Sequence, residues 1–396
     1  MRLISDDMAN QIKESSDIID IIGEYVDLKR AGSSYKGLCP FHNEKTPSFT
    51  VDKKKQLFHC FGCGAGGDVV SFIMQKEGLS YPESLEFLAN RAGINLIYQN
   101  NPGENKYKNH LYDINKDIMM FFYKNLLTNK APQDYLVKRG LRSNIVNTFM
   151  LGYAKDSWDD LLNYAKSKGY KEEDLLSLGL IAKSKNGNYY DKYRNRVIYP
   201  IIDIYGRVIG FGGRAIDDAM PKYLNSPESE IFKKRYNLYA LNNFKKQNKR
   251  DLILVEGYMD VIALNNWGID IAVASLGTAF TLDQAKLAKR YADNIYVCYD
   301  SDGAGIKATQ RAIDIFNQAD ISVNIIELGE GLDPDDFVRK YGKEAFIDKM
   351  DKALDQYNYR YNQILDSYSQ ASENEKFDKL NLFIEFLASI KQDLTR

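Results

Sequence analysis

Residues 10–26 place Ile12, Ile18, Ile19, Ile22 and Val26 at helical spacing, and a second helix is predicted after Asp68 with Val69, Val70, Phe72 and Ile73 turned inward. Gly78 ends it. Ser80-Tyr-Pro-Glu83 reads as a capping box with proline in the first turn, opening a third helix through Leu85 and Leu88 to Gly93. Between the first two helices, the β-rich runs 48–51 and 56–59 flank the polar tetrad 52–55, the pattern of a hairpin.

Residues 99–105, Gln-Asn-Asn-Pro-Gly-Glu-Asn, are rich in breakers and predict a linker. Residues 107–168 follow a helical period punctuated by Gly140 and Gly152, and two β-rich runs within 196–211 surround the turn 203–206. From Asp251 the texture changes to buried strands alternating with helices, at 252–255, 271–274, 295–298 and 321–326. Such alternation implies a mostly parallel sheet. Beyond Tyr341 the chain reads as helical and polar.

A length of 396 residues calls for two or three cores, and 44% hydrophobic with 27% charged residues excludes wholesale disorder and fibrous folds. The acid-containing amphipathic N-terminus fits no targeting signal, and no apolar run reaches the ~20 residues of a membrane span. A cytoplasmic protein is expected, without membrane contact. The net charge of −1 hides a segregation. Residues 221–250 hold eight Lys/Arg against two acids, whereas 327–336 hold five acids and no base, so a polyanion and its counter-cations each have a place.

Cys39-Pro-Phe-His42 and Cys60-Phe-Gly-Cys63 are two ligand pairs of matched spacing, separated by 17 residues that contain the hairpin. Two such knuckles close a tetrahedral Cys₃His site, and full protein ligation makes it structural. His59 fits the rhythm less well than His42. Tyr35, Lys36, Phe58, Phe61 and Lys53 to Lys55 surround the site with the aromatic and basic groups that suit unpaired bases and phosphates.

Acids stand at successive strand ends: Glu256 and Asp260 in Glu-Gly-Tyr-Met-Asp, Asp300 and Asp302 in Asp-Ser-Asp, and Asp333 and Asp335 in Asp-Pro-Asp-Asp. In a doubly wound sheet the carboxyl ends of strands form the ligand crevice, and hard oxygen donors at this density suit Mg²⁺ or Mn²⁺. The twelfth position counted from Asp300 is Arg311 rather than Glu, which disfavours an EF-hand, and no Walker-type phosphate loop occurs. Phosphoryl transfer assisted by two metal ions is the chemistry that remains.

The order of a CPFH…CFGC ribbon, a basic segment, an E-G-Y-x-D strand end and a D-x-D strand end resembles the DnaG-type bacterial primases over essentially the whole chain. The resemblance implies a multidomain α/β protein. An N-terminal zinc ribbon with helices (1–98) and a linker (99–105) precede an α+β basic subdomain (106–240), a Toprim-like mostly parallel sheet with flanking helices (241–340) and a C-terminal helical segment (341–396). Glu256, Asp300 and Asp302 match the Toprim catalytic acids, and Asp260, Asp333 and Asp335 match further acidic positions of the metal site. Arg194 and Arg196 match the family's basic motif, while Lys222, Tyr223, Asn225 and Lys234 match its stretch beside the active site; all six are expected to meet nucleic acid or nucleotide. The implied cofactors are one structural Zn²⁺ and two catalytic Mg²⁺ or Mn²⁺, and the implied partners are a single-stranded DNA template, ribonucleoside triphosphates and a replicative helicase. The family's C-terminal helicase-binding domain is expected to be absent, and the chain to be a monomer. The rival expectations are another Toprim enzyme, a topoisomerase or nuclease, and a non-catalytic single-strand-binding regulator.

Overall fold

The computed structural model describes residues 4, 6–32, 34–94, 102–247, 249–329, 331–369 and 371–389. They form two compact units, Met1–His110 and Leu111–Arg396. In the first, an antiparallel sheet of five short strands runs in the order Lys29–Ala31, Ser34–Gly37, Phe49–Asp52, Leu57–Cys60 and Gly66–Gly67. The central hairpin pairs Phe49 with Cys60 and Asp52 with Leu57, and its turn is closed by Asp52 Oδ1, which accepts from the backbone N–H groups of Lys54 and Lys55 at 3.0 Å. The predicted hairpin and the capped helices Val69–Glu77 and Tyr81–Ala92 are present.

The helical pattern over residues 10–26 is split into Asp6–Glu14 and Ile18–Gly23, because Asp17 turns inward on the backbone and caps the second helix through Ile19 N–H at 2.8 Å. Isoleucines on either side of the break still face one core. Phe49, Phe58 and Phe72 fill its centre, with Phe49 and Phe58 stacked at 5.3 Å. Residues 99–101 of the expected linker lie outside the described residues, and from Pro102 the chain is helical, through Thr128.

In the second unit, an antiparallel sheet runs in the order Tyr223–Asn225, Val208–Ala215, Arg196–Ile202 and Gly152–Ala154. Gly152 thus opens a strand rather than punctuating helices; a side chain there would collide with Phe122, its ideal Cβ lying 2.5 Å from Phe122 Cβ. A second sheet runs in the order Ala272–Ala274, Asp251–Val255, Asn294–Val297, Asn324–Ile325 and Leu354–Asp355, parallel except for the last strand. Its strand Asp251–Val255 is buried from Leu252 to Val255, as a continuous Val/Ile/Leu run covered on both faces must be. Only Asn324–Ile325 of the run 321–326 is paired as strand.

One apolar core joins both sheets, with Tyr199 stacked on Tyr258 at 5.5 Å, so packing is continuous across residue 240. The C-terminal segment comprises the helices Pro334–Asp351, Gln356–Ser369 and Glu373–Ser389, interrupted by the short strand at 354–355. Among the described residues no helix is long and apolar enough to cross a membrane.

Candidate metal centres and nucleotide cleft

Cys39 follows the strand Ser34–Gly37, Cys60 ends Leu57–Cys60, and the two tight turns after them carry His42 and Cys63. The donor atoms of Cys39, His42, Cys60 and Cys63 lie within 4.8 Å of one another. Cys39 and Cys63 bring their Sγ atoms to 3.8 Å, and Cys60 Sγ stands 3.8 Å from His42 Nδ1. The other ring nitrogen, Nε2, is 3.4 Å from Glu44 Oε2. Glu44 also accepts from Cys39 N–H at 2.7 Å and from Ser48 N–H at 3.1 Å, tying the first knuckle to the start of the strand Phe49–Asp52. This is the outer support that orients a ligating imidazole.

Burial pushes the Cys39 thiol up to about 12. Burial also acts upward on Cys60, but the Ser48 hydroxyl and the N–H groups of Cys63 and Gly62 outweigh it and bring that thiol down to about 6. Gly62 is required at its position, since an ideal Cβ would lie 2.7 Å from His42 Nε2. Three sulfurs and one imidazole so gathered fit Zn²⁺. His59 points to the other face of the hairpin, packed edge-on against exposed Phe61 at 4.7 Å. Phe58, expected to serve stacking on bases, is instead part of the buried core.

The acids of the parallel sheet converge on a cleft of about 530 Å³. Glu256 follows the strand Asp251–Val255, and its Oε1 accepts from Asp300 N–H at 3.3 Å, which links two strand ends. Asp260 is buried in the first turn of the helix Tyr258–Asn266, where Oδ2 accepts from Gly257 N–H at 3.0 Å. Asp333 caps the helix Pro334–Asp351 through Oδ1, and Asp335 receives Arg139 Nη1 at 3.1 Å. Asp302 is exposed and caps Gly303–Gln318 with Oδ1, which takes the N–H groups of Ala304 and Gly305 at 2.9 and 2.7 Å. Among the described residues both capping aspartates therefore keep Oδ2 available. Glu256, Asp260, Asp300, Asp333 and Asp335 line the cleft together with Asp336, whereas Asp302 stands outside its lining.

These carboxyls are hard to ionise together. Burial raises Asp260 well above the usual carboxylate range, reinforced by Asp333 and Asp300. Burial and then Glu256 and Asp333 push Asp300 up to about 7. Glu256 is raised by burial, with Asp302 and Asp333 adding to it against the hydrogen bond from Asp300. Oxygen donors that repel one another in this way fit divalent cations.

A stability test follows from the direction of these shifts. Because the folded Asp300 holds its proton up to about pH 7, while an unfolded aspartate releases it near 4, its contribution to stability declines as pH rises between those values. In Mg²⁺-free buffer at pH 8, Asp300→Asn is expected to melt higher than the wild type by about 2 °C or more, the shift that ~1 kcal/mol produces in a domain of this size. At pH 4 the difference should vanish; a variant that melts lower at pH 8 would contradict the electrostatic account.

Cations face the acids across the cleft. Lys222, Tyr223 and Asn225 line it. Tyr223 Oη accepts from Arg214 Nη1 at 2.7 Å, and Asn225 is fixed between Tyr258 Oη at 3.0 Å and the Leu276 carbonyl at 3.3 Å. Arg194, Arg196 and Lys234 are not among the lining residues. Arg194 lies 3.8 Å from the Trp158 ring centroid, whereas Arg196 is buried and donates to the Lys222 carbonyl at 3.2 Å. Lys234 starts a short 3₁₀ turn near half-buried Lys192, whose ammonium is depressed by burial and by Lys234.

Sequence reasoning did not single out Arg139, Arg214, Tyr258 or Glu44. The glycines of Gly210-Phe-Gly-Gly213 carried a readable signal for close packing there: an ideal Cβ on Gly212 would lie 2.5 Å from the Tyr258 ring.

Residues 4–104 match the CHC2 zinc finger family, 121–245 the N-terminal domain of the DNA primase catalytic core, and 253–338 the Toprim-like family. The DNA primase of Clostridium acetobutylicum is 45% identical over 399 residues, which cover 99% of this chain and 67% of that protein. The DNA primase of Haemophilus influenzae is 41% identical over 350 residues, covering 85% of this chain and 59% of the relative. This chain thus spans about two thirds or less of their lengths. Among solved structures, the zinc-binding and RNA polymerase domains of the Aquifex aeolicus primase align with a TM-score of 0.63 at 36% identity, covering 98% of this chain and 93% of that one. A DnaG primase catalytic domain bound to single-stranded DNA aligns with a TM-score of 0.64 at 34% identity, covering 73% and 94%. Ribbon, basic sheet and acidic parallel sheet occur here in one order and one fold, and the chain belongs to the DnaG-type bacterial DNA primases.

Proposed function

We propose that this chain synthesises short RNA primers on single-stranded DNA by nucleotidyl transfer, in the cytoplasm and as a monomer, with a replicative helicase as partner. The observation that carries this reading is the meeting of carboxylates that follow two strand ends, Glu256 and Asp300, and of those that open the helix Pro334–Asp351 with Arg139, Arg214 and Lys222 in one cleft. One zinc would be held by Cys39, His42, Cys60 and Cys63, and two Mg²⁺ or Mn²⁺ by Glu256, Asp300 and Asp302 with Asp260, Asp333 and Asp335 nearby. Bound divalent cations supply activation of the attacking 3′-hydroxyl and charge stabilisation at the leaving pyrophosphate.

The chain's own groups do the rest. Lys222, Arg139 and Arg214 receive triphosphate oxygens, and Asn225 and Tyr223 present fixed polar edges to the nucleotide. Arg194 and Lys234 serve the template side, and buried Arg196 positions Lys222 by donating to its carbonyl. The same reading divides the work among residues 1–98 for template contact, 106–240 for the basic groove, 241–340 for chemistry and 341–396 for the helical end, joined through 99–105. Incubation with single-stranded DNA, Mg²⁺ and labelled ribonucleotides tests it: alkali-labile oligonucleotides are expected, whereas nicked or relaxed DNA without incorporation would favour a different Toprim activity.

Template contacts can be tested by salt. Replacing Arg194 or Lys234 by Ala is expected to weaken single-strand binding and to lower the slope of log affinity against log salt by about 0.7, the counterion release of one phosphate contact. Unchanged slopes in both variants would remove these two side chains from the interface.

A further inference from the structure

Glu256, Ser275 and Gly277 border two cavities rather than one. The first is the cleft of acids and cations. The second, of about 550 Å³, opens between the loop that follows Ala272–Ala274 and the helix Gly303–Gln318. Its lining has a different chemistry. Phe280, Tyr299, Ala308 and Ile315 make it largely apolar, and Arg311 and Asp314 are its charged groups besides Glu256. The apolar wall is rigid, since Phe280 is buried and packs on Phe316 with ring centroids 4.9 Å apart. Asp314 already accepts from Arg360 Nη1 at 3.1 Å. Arg311 is exposed and makes no salt bridge among the described residues, so the cavity keeps one cation for a ligand.

Phosphoryl transfer places the attacking and leaving oxygens roughly in line through phosphorus. With the triphosphate in the cationic cleft, the nucleophile must approach the carboxylates from another side, and the second cavity shares Glu256 with the first. A nucleotide that brings one phosphodiester rather than a triphosphate needs an apolar wall for base and ribose and a single cation. The volume lies within the ordinary range for such a ligand.

We propose that this second cavity seats the 3′-terminal nucleotide of the growing primer, with its base and ribose against Ala308 and Ile315 and its phosphodiester at Arg311. At each addition the bond between primer O3′ and the α-phosphorus forms. The bond from the α-phosphorus to the oxygen bridging it to the β-phosphorus breaks, its electron pair leaves on pyrophosphate, and the hydroxyl proton passes to solvent. The seat rests on the primase reading, and its test separates the two.

The whole chain is given an RNA primer annealed to a DNA template, and extension is measured against primer–template concentration. Affinity for a fluorescent ribonucleoside triphosphate is measured separately. Arg311→Glu, a surface change, and Ala308→Trp, which fills the cavity, are each expected to raise the primer–template concentration for half-maximal extension by about tenfold, the effect of losing one charge-assisted or well-packed contact. Triphosphate affinity should stay within about twofold, because those contacts lie in the other cleft. Unaltered extension by both variants would overturn the seat, and so would an equal loss of triphosphate affinity, which would assign the cavity to the incoming nucleotide. Failure of the wild type to extend any primer would overturn the primase reading beneath it.

Discussion

Glu256→Gln and Asp300→Asn are each expected to reduce primer synthesis by roughly a thousandfold or more while leaving the protein folded. Each substitution keeps shape and polarity and removes one charge from a site in which Glu256 and Asp300 line the cleft together. Cation stabilisation of the developing charge is worth several kcal/mol, and each ~1.4 kcal/mol is a factor of ten in rate. The Asp300 N–H that bonds Glu256 Oε1 at 3.3 Å keeps an oxygen acceptor in the glutamine variant, so local geometry should persist. Single-stranded DNA binding should also persist, since Arg194 and Lys234 lie outside the acidic lining. Primer yields near normal from both variants at limiting Mg²⁺ would remove the acids from catalysis, and loss of the circular dichroism spectrum would make them structural.

The second large effect is expected in the first unit. Cys60→Ser, or exhaustive zinc chelation of the wild type, should unfold the ribbon while the unit from Leu111 onward keeps its own melting transition. Cys60 is fully buried, touches Ser48 Oγ at 3.2 Å and pairs in register with Phe49, so its sulfur links the metal site to the aromatic core. Structural zinc contributes about 10–16 kcal/mol of apparent binding free energy in zinc-finger peptides, more than a unit of this size can replace by packing. Elemental analysis should find about one zinc per chain. A zinc-free first unit that remains folded, with protected amides along Phe49–Asp52 and Leu57–Cys60, would contradict the assignment.

Much of this was legible in sequence because local rules acted without competition. The hairpin 48–59 has alternating faces and an Asp-led turn, and the ligand spacing on either side of it fixes where the knuckles close. Glu256 and Asp300 could be read because each follows a continuous apolar run, and such a run in a parallel sheet ends at the ligand crevice, whereas Asp333 and Asp335 stand at the start of the helix Pro334–Asp351 rather than at a strand end.

What escaped depends on tertiary packing. The break at Ser15 to Asp17 was masked by isoleucines that satisfy a helical period on both sides of it. Gly152 reads as a helix terminator until Phe122 is known to occupy the space above it. Phe58 and Phe61 are near neighbours in sequence, yet Phe58 faces inward on the strand Leu57–Cys60 and Phe61, in the turn after it, is exposed at 76%. Arg139 meets Asp335 across 196 residues of chain, a pairing that no local pattern announces. Lys192 and Lys234 share an environment for the same reason.

The most direct test of the account is the sequence of the products made by the wild-type chain on a single-stranded DNA of defined sequence with Mg²⁺ and all four ribonucleotides. Short RNAs complementary to the template are the expected result. Untemplated products, or cleavage of the DNA with no RNA made, would contradict it.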